Sequence, residues 1–217
     1  GVGIAENAAF LVSLLSGMGL EARTIGTAGW PLVYGRRDAA PGKPRVLLYG
    51  HYDVQPPDPL DLWDSPPFEP EIRNGRIYAR GAGDNKGQHF ANLLAIESLL
   101  AVNGSLPCNV IVLLEGEEEV GSKNLDDYVK AHQSELAADV VVISDSPMFD
   151  RGIPSICYGL RGLTYFQIDL RGSRSDLHSG SFGGAVANPA FVLAQLLAQM
   201  KDRSGRIKIP GFYDAVR

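Results

Sequence analysis

The sequence has few cysteines and no long apolar run. Its 217 residues include two cysteines, Cys108 and Cys157, and no C-x-x-C spacing. Two isolated cysteines do not build a disulfide framework, so we expect a fold held by packing in a reducing, cytoplasmic compartment. No apolar stretch approaches the roughly 20 residues that a membrane-spanning helix needs, so we expect no membrane segment.

Basic residues are also in the minority. The chain has 20 Lys and Arg against 25 Asp and Glu, a formal net charge of -5. Nucleic acids and anionic membranes attract basic proteins, so this balance argues against both as partners. The glycine-rich turn at residues 81–87 has neither the G-x-x-x-x-G-K-[ST] nor the G-x-G-x-x-G pattern, which disfavours a nucleotide site.

Three short apolar runs predict strands buried on both faces of a sheet, because they are rich in β-branched residues and lack polar alternation. They lie at residues 46–49, 110–114 and 140–143. Helical periodicity at residues 4–20, 86–102 and 125–137 alternates with them. The pattern predicts an α/β fold with a mostly parallel central sheet flanked by helices. Asn74-Gly75 between Ile72 and Ile77 predicts an additional β-hairpin.

The pattern changes after residue 158. Residues 163–170 alternate between apolar and polar, which predicts a strand, and Asn188-Pro189 predicts the start of a helix that runs to Met200. We expect one domain at residues 1–159 and the beginning of a second at 160–217. One strand and one helix are too little to close a core, so we expect the chain to stop inside that second domain.

Acidic and imidazole side chains follow each of the three predicted strands. They are His51 and Asp53 after the first, residues 117–119 (three glutamates) after the second, and Asp145 after the third, with Asp84 in the turn before the helix at 86. The carboxyl ends of parallel strands meet at one edge of a sheet, so we expect these side chains to converge. Gathered carboxylates need a counter-charge. One imidazole with several carboxylates favours zinc, with manganese or cobalt as alternatives, over calcium.

Each of these residues also has a simpler explanation on its own. His51 could be a structural histidine, the three glutamates a solvated loop, and Asp84 and Asp145 caps of a helix and a turn. Their joint occurrence favours the metal site. His89 and His132 have no such acidic neighbours, so we expect both to be packing or surface residues.

Six segments carry a resemblance to a known family. They are GHYDVQP at 50–56, RGAGDNKG at 80–87, EEVGS at 118–122, ISD at 143–145, DLHSG at 176–180 and FGG at 182–184. In order and spacing they resemble the two-zinc exopeptidases and deacylases, a family that includes carnosinase, acetylornithine deacetylase, succinyl-diaminopimelate desuccinylase and glutamate carboxypeptidase. LWD at 62–64, PPF at 66–68 and IPGFYD at 209–214 most resemble the carnosinase-like dipeptidase branch.

The resemblance implies a role for each metal-site residue. His51 and Asp145 would bind one metal ion, Glu119 would bind the other, and Asp84 would bridge the two. It also implies a cis peptide bond between Asp84 and Asn85. The family takes a further metal-binding histidine from beyond the second domain, which this chain does not include. We therefore expect weak or single metal occupancy, and little or no activity, for the chain by itself.

The resemblance also implies the catalytic residues. Asp53 would orient His51, and Glu118 would be the general base, with Glu117 as its neighbour. His178 would stabilise the oxyanion from a lid domain, which in related homodimers comes from the partner. The implied fold is a zinc-exopeptidase-like catalytic domain followed by the start of an α+β lid and dimerisation domain.

The implied activity is hydrolysis of the amide bond of a small dipeptide by a water that two metal ions activate. Two alternatives stay open. An N-acyl-amino-acid deacylase of the same family would use the same metal ions with a different pocket. A non-catalytic interaction domain could share the fold, although the presence of all the metal-site residues together speaks against it.

Overall fold

The computed structural model describes residues 3–38 and 41–216. Contacts between Cα atoms divide the chain into two compact units, Gly1–Cys157 and Tyr158–Arg217. Within the described residues, no helix combines the length and the apolar character that crossing a membrane requires.

The first unit is an α/β sandwich around one five-stranded sheet. In chain order its elements are α1 (Ile4–Gly17), β1 (Glu21–Ile25), β2 (Leu32–Arg37), β3 (Arg45–His51), β4 (Glu71–Arg73), β5 (Arg76–Tyr78), α2 (Lys86–Asn103), β6 (Asn109–Glu115), α3 (Leu125–Ala131) and β7 (Val140–Ile143). The sheet has the order β1-β2-β6-β3-β7. Strand β3 pairs in parallel with β6 and β7, while β1 and β2 add an antiparallel extension on the far side of β6. The predicted α/β class is confirmed.

Helices cover both faces of strand β6, which explains why its sequence is apolar without alternation. Val110, Val112 and Leu114 pack with buried residues of α1 and α2. Ile111 and Leu113 point to the opposite face and pack with Tyr128 of α3 and other buried residues. Successive side chains of a strand point to opposite faces, so a strand covered on both sides needs an apolar residue at every position.

Helix α2 crosses β3 at very close range. A Cβ atom added at Gly50 would lie 2.8 Å from Cβ of His89 and 2.8 Å from Oδ1 of Asn85. Glycine at position 50 therefore lets the start of α2 rest directly on the carboxyl end of β3. His89 is 4% exposed at this crossing, which agrees with its expected role as a packing residue.

The predicted hairpin is also present. Strands β4 and β5 pair antiparallel on either side of Asn74 and Gly75, whose φ angles are 51° and 73°. Two central residues with positive φ suit the right-handed twist of a two-residue hairpin, and Asn-Gly adopts them at the lowest cost.

Strand β7 differs from its prediction. We expected it to be buried on both faces, but Val140, Val141 and Ile143 are 50%, 57% and 61% exposed. Among the described residues β7 is the end strand of the sheet and pairs with β3 only. Its apolar composition suits a covered strand, but neither its faces nor its outer edge is covered in the described part of the chain. Helix α3 is also shorter than the predicted 125–137.

The described residues of the second unit form two helices, α4 (Ser179–Phe182) and α5 (Pro189–Met200). As predicted, α5 begins after Asn188, whose Oδ1 accepts a hydrogen bond from the N–H of Ala190 at 2.9 Å. The strand predicted at residues 163–170 is not formed. An alternating segment becomes a strand only when another strand satisfies its backbone, and no described residue pairs with it.

The packing of α1 on the sheet generates a stability prediction. Leu15 is fully buried against Gly35 of β2, whereas Phe10 of the same helix is 60% exposed. Leu15→Ala should lower the free energy of unfolding by about 2–5 kcal/mol, because it leaves a cavity in the core. Urea unfolding followed by circular dichroism measures the change. Phe10→Ala is the matched control and should cost about 1 kcal/mol or less; equal losses in the two variants would contradict this packing.

Candidate metal centre

The site is built around His51, the last residue of β3. Its side chain is fully buried, and its two ring nitrogens face different acids. Nδ1 lies 3.3 Å from Oδ1 of Asp53, while Nε2 lies 3.1 Å from Oδ1 of Asp84. A proton on Nδ1 directed at Asp53 leaves the Nε2 lone pair available to a cation, the arrangement in which a carboxylate orients a metal-binding histidine.

Asp84 and Asp145 approach Nε2 of His51 from two other segments. Asp84 stands in the turn before α2, and its peptide bond to Asn85 is cis, which confirms that prediction. Asp145 lies two residues beyond the end of β7, with Oδ2 at 3.6 Å from Nε2. The parallel pairing of β3 with β7 brings these groups to the same edge of the sheet.

The glutamates after β6 complete the cluster. Glu118 and Glu119 begin a short 3₁₀ helix, Glu118–Val120, and Oε2 of Glu118 lies 3.9 Å from Nε2 of His51. Asp53 fixes this helix, because its two oxygens accept hydrogen bonds from the N–H groups of Glu118 at 3.3 Å and Glu119 at 3.0 Å. We call residues 117–120 the glutamate loop. Asp53 thus contacts both the ring of His51 and the backbone of this loop.

The charges around His51 dominate its ionisation. Burial by itself would lower the pKa of the imidazole, but the hydrogen bond with Asp53 and the charges of Asp145, Asp53 and Glu118 outweigh burial and raise that pKa to about 9. Without a metal ion the cluster therefore holds a proton as its positive charge at neutral pH.

The pKa values of Glu118 and Asp53 are shifted in opposite directions. Burial raises the pKa of Glu118, and the neighbouring charges of Asp145 and Glu119 raise it further against the effect of His51. For Asp53 burial acts upward as well, but the bonds from His51 and from the N–H of Glu119 prevail and lower its pKa. The pKa shift of Glu118 thus favours acceptance of a proton, whereas that of Asp53 favours its ionised form.

The donor set fits a divalent transition-type metal. Two groups of side chains have their ligand atoms within 4.8 Å of one another: His51 with Asp84 and Asp145, and His51 with Glu118 and Glu119. An imidazole with several carboxylates suits zinc, manganese or cobalt. The charges of Asp145, Asp53 and Glu118 that raise the pKa of His51 would favour a bound cation in the same way.

His178 lies in the second unit, directly before α4. Its side chain is exposed, and Nδ1 accepts a hydrogen bond from the N–H of Gly180 at 3.1 Å. The bond orients the ring locally. The role of His178 toward an oxyanion stays a prediction.

Three polar residues at the site were missed from the sequence. Asn85, 1% exposed, contacts both His51 and Asp145. Gln55 donates from Nε2 to Oε2 of Glu119 at 2.8 Å. Glu115, 1% exposed, accepts from the hydroxyl groups of Tyr49 and Ser122 and so holds the glutamate loop against β3. An ionisable residue at the end of an apolar strand was the available signal for Glu115, whereas Asn85 resembles an ordinary helix cap.

The ionisation of His51 predicts how metal binding depends on pH. Below about pH 9 a cation must displace the imidazole proton, so zinc affinity should rise by up to about tenfold per pH unit between about pH 6 and pH 8. Competition with a chromophoric chelator measures the affinity, and calorimetry in buffers of different ionisation enthalpy counts the released proton. Asp53→Asn removes a group that raises the pKa of His51, so the zinc affinity of this variant should stop rising at a lower pH than that of the unsubstituted protein. A pH-independent affinity in the unsubstituted protein would contradict the prediction.

Comparison with known proteins places this geometry in a family. Residues 47–211 match the profile of peptidase family M20/M25/M40. The chain is 37% identical to the Cys-Gly metallodipeptidase of Schizosaccharomyces pombe, over 98% of this chain and 48% of that protein. It is 38% identical to the human Beta-Ala-His dipeptidase, over 86% of this chain and 37% of that protein.

The fold agrees with the sequence match. An M20 family metallo-carboxypeptidase from Sulfolobus solfataricus superposes with a TM-score of 0.83 and 41% identity, over 100% of this chain and 49% of that one. The chain therefore spans about half the length of the relatives it matches or less. It belongs to peptidase family M20/M25/M40.

Proposed function

We propose that the protein containing this chain is a metal-dependent dipeptidase. The observation that carries the proposal is the convergence of His51, Asp84, Glu118, Glu119 and Asp145 at one edge of the sheet. The two curated relatives described above are named as dipeptidases, one for Cys-Gly and one for Beta-Ala-His. A small dipeptide is therefore the proposed substrate, and hydrolysis of its amide bond the proposed reaction.

The proposed cofactor is a pair of divalent cations, zinc first, with manganese or cobalt as alternatives. His51 and Asp145 would hold one cation, Glu119 the other, and Asp84 would bridge them. When bound, two such cations supply an acidified water and polarise the amide carbonyl. Support for this assignment comes from the distances around Nε2 of His51, 3.1 Å to Asp84 and 3.6 Å to Asp145.

The chain's own residues would carry the proton. Glu118, with its raised pKa, takes a proton from the attacking water and later gives it to the departing amine. Asp53 keeps His51 oriented through Nδ1 and fixes the N–H groups of Glu118 and Glu119. The base is thus held at a set distance from the metal ligands while it exchanges its proton.

The remaining assignments follow the family resemblance. The first unit would be the amino-terminal part of the catalytic domain, and the second the beginning of a lid and dimerisation domain. His178 would stabilise the oxyanion, across a homodimer interface if the lids exchange as in related dimers. The scarcity of cysteine supports a reducing, cytoplasmic location.

Replacement of the base gives the decisive test of this activity. In the natural protein that contains this chain, Glu118→Gln should lower kcat for Cys-Gly and Beta-Ala-His by on the order of 10²–10⁴-fold, because the amide cannot accept the proton. Glu117→Gln is the matched control: Glu117 accepts a hydrogen bond from Asn124 at 2.6 Å, which glutamine can still accept, so activity should be kept. Metal content measured in parallel should stay the same in both variants.

Other outcomes separate the alternatives. Hydrolysis of N-acetyl amino acids in preference to both dipeptides would assign the deacylase instead. Bound metal without hydrolysis of either class would favour the interaction domain. Equal losses in Glu117→Gln and Glu118→Gln would show that the base has been misassigned.

A further inference from the structure

Strand β7 carries Asp145 to the site but has little packing to hold it there. Its side chains Val140, Val141 and Ile143 are at least half exposed, and in the described part of the chain its ladder joins β3 only. Asp145 lies beyond the last ladder residue. Burial of apolar surface, which holds β3 and β6 in place, therefore does little to fix the position of this carboxylate.

Asn85 forms a bridge between His51 and Asp145. Its Oδ1 accepts a hydrogen bond from the backbone N–H of His51 at 3.2 Å. Its Nδ2 donates to Oδ1 of Asp145 at 3.0 Å and to the carbonyl of Ser144 at 3.3 Å. A donor on one side and two acceptors on the other determine which way the amide faces. At 1% exposure, this amide is shielded from competing water.

Asn92 adds a second bond. It lies within α2, seven residues after Asn85, which directly precedes this helix. Nδ2 of Asn92 donates to Oγ of Ser144 at 3.1 Å. Two amide side chains, one directly before α2 and one within it, therefore hold residues 144 and 145 at two separate points.

The bond from Asn85 also distinguishes the two oxygens of Asp145. Oδ1 is bound by the amide, whereas Oδ2 faces Nε2 of His51 at 3.6 Å. A carboxylate held by one oxygen presents the other in a fixed direction, as expected of a ligand that offers a single oxygen to a cation. Without the amide, rotation about the Cβ–Cγ bond would exchange the two oxygens.

We propose that Asn85 and Asn92 are positioning residues that hold Asp145 for metal binding. Asn85 selects the oxygen that faces the cation, and Asn92 holds the neighbouring Ser144 against α2. The proposal rests on the proposed function only in assigning a cation to Asp145. Substitution of a residue that orients a metal ligand typically weakens metal binding about 10- to 100-fold.

The test measures metal binding by the natural protein that contains this chain. Asn85→Leu keeps a similar side-chain volume and removes all three hydrogen bonds, and it should weaken zinc binding about 10- to 100-fold. The visible absorption of bound Co²⁺ should change as well, because it reports the ligand geometry, which a general loss of stability would not alter. Asn103→Leu, an exposed position at the end of α2, is the control and should bind like the unsubstituted protein.

A second pair of variants covers the case in which Asn85→Leu does not fold. Asn92→Ala and Ser144→Ala each remove one partner of the hydrogen bond between these two side chains. Each should weaken zinc binding about 2- to 10-fold. The double variant should bind zinc no more weakly than the weaker-binding single variant, because both substitutions remove the same hydrogen bond. Additive losses in the double variant would overturn the role of Asn92.

A folded Asn85→Leu with unchanged zinc affinity and an unchanged Co²⁺ spectrum would overturn the proposal for Asn85. If that variant does not fold, unchanged affinity in Asn92→Ala and Ser144→Ala would overturn the proposal as a whole. Neither result depends on catalysis. Weakened metal binding in a protein without dipeptidase activity would reject the proposed function and support the positioning role, whereas unchanged binding in an active dipeptidase would do the reverse.

Discussion

The repulsion among carboxylates gathered at one edge of a sheet is the constraint on which this structure depends. Asp53, Asp84, Glu118 and Asp145 all lie within 3.9 Å of a ring nitrogen of His51. Such a group is stable only around a positive charge, which the imidazolium supplies when no metal ion is bound. The hydrogen bonds of Asp53 and Asn85 hold Glu118, Glu119 and Asp145 in fixed directions around the imidazole.

Two kinds of force position the acids. His51 and the glutamate loop follow β3 and β6, whose positions are set by apolar side chains packed on both faces. Asp145 follows β7, where apolar packing is slight. Hydrogen bonds from Asn85 and Asn92 contact residues 144 and 145 there instead. The close crossing of α2 over Gly50 connects the two, since it brings Asn85 within reach of both strand ends. The site therefore depends on one helix as much as on the sheet.

Much of this arrangement could be predicted from the sequence. The buried strands β3 and β6 and the Asn-Gly hairpin have local signals, and the metal-site residues were predicted because each follows a strand end or begins a helix. Exposure of β7 could not be predicted, because its composition suits a covered strand and only the position of that strand in the sheet decides its exposure. Residues 163–170 likewise have the alternation of a strand, but pairing requires a partner that local pattern does not reveal. Asn85 was missed for a similar reason: a polar residue before a helix predicts a cap, whereas here the side chain makes no capping bond and turns toward residues 34 and 60 positions away.

The exposure of Asp84 sets how a cation from solution first meets the site. Its side chain is 66% exposed, in contrast to the buried His51, so a carboxylate faces the solvent at the opening of the cluster. That negative field accelerates the arrival of cations, and the acceleration weakens as salt is added.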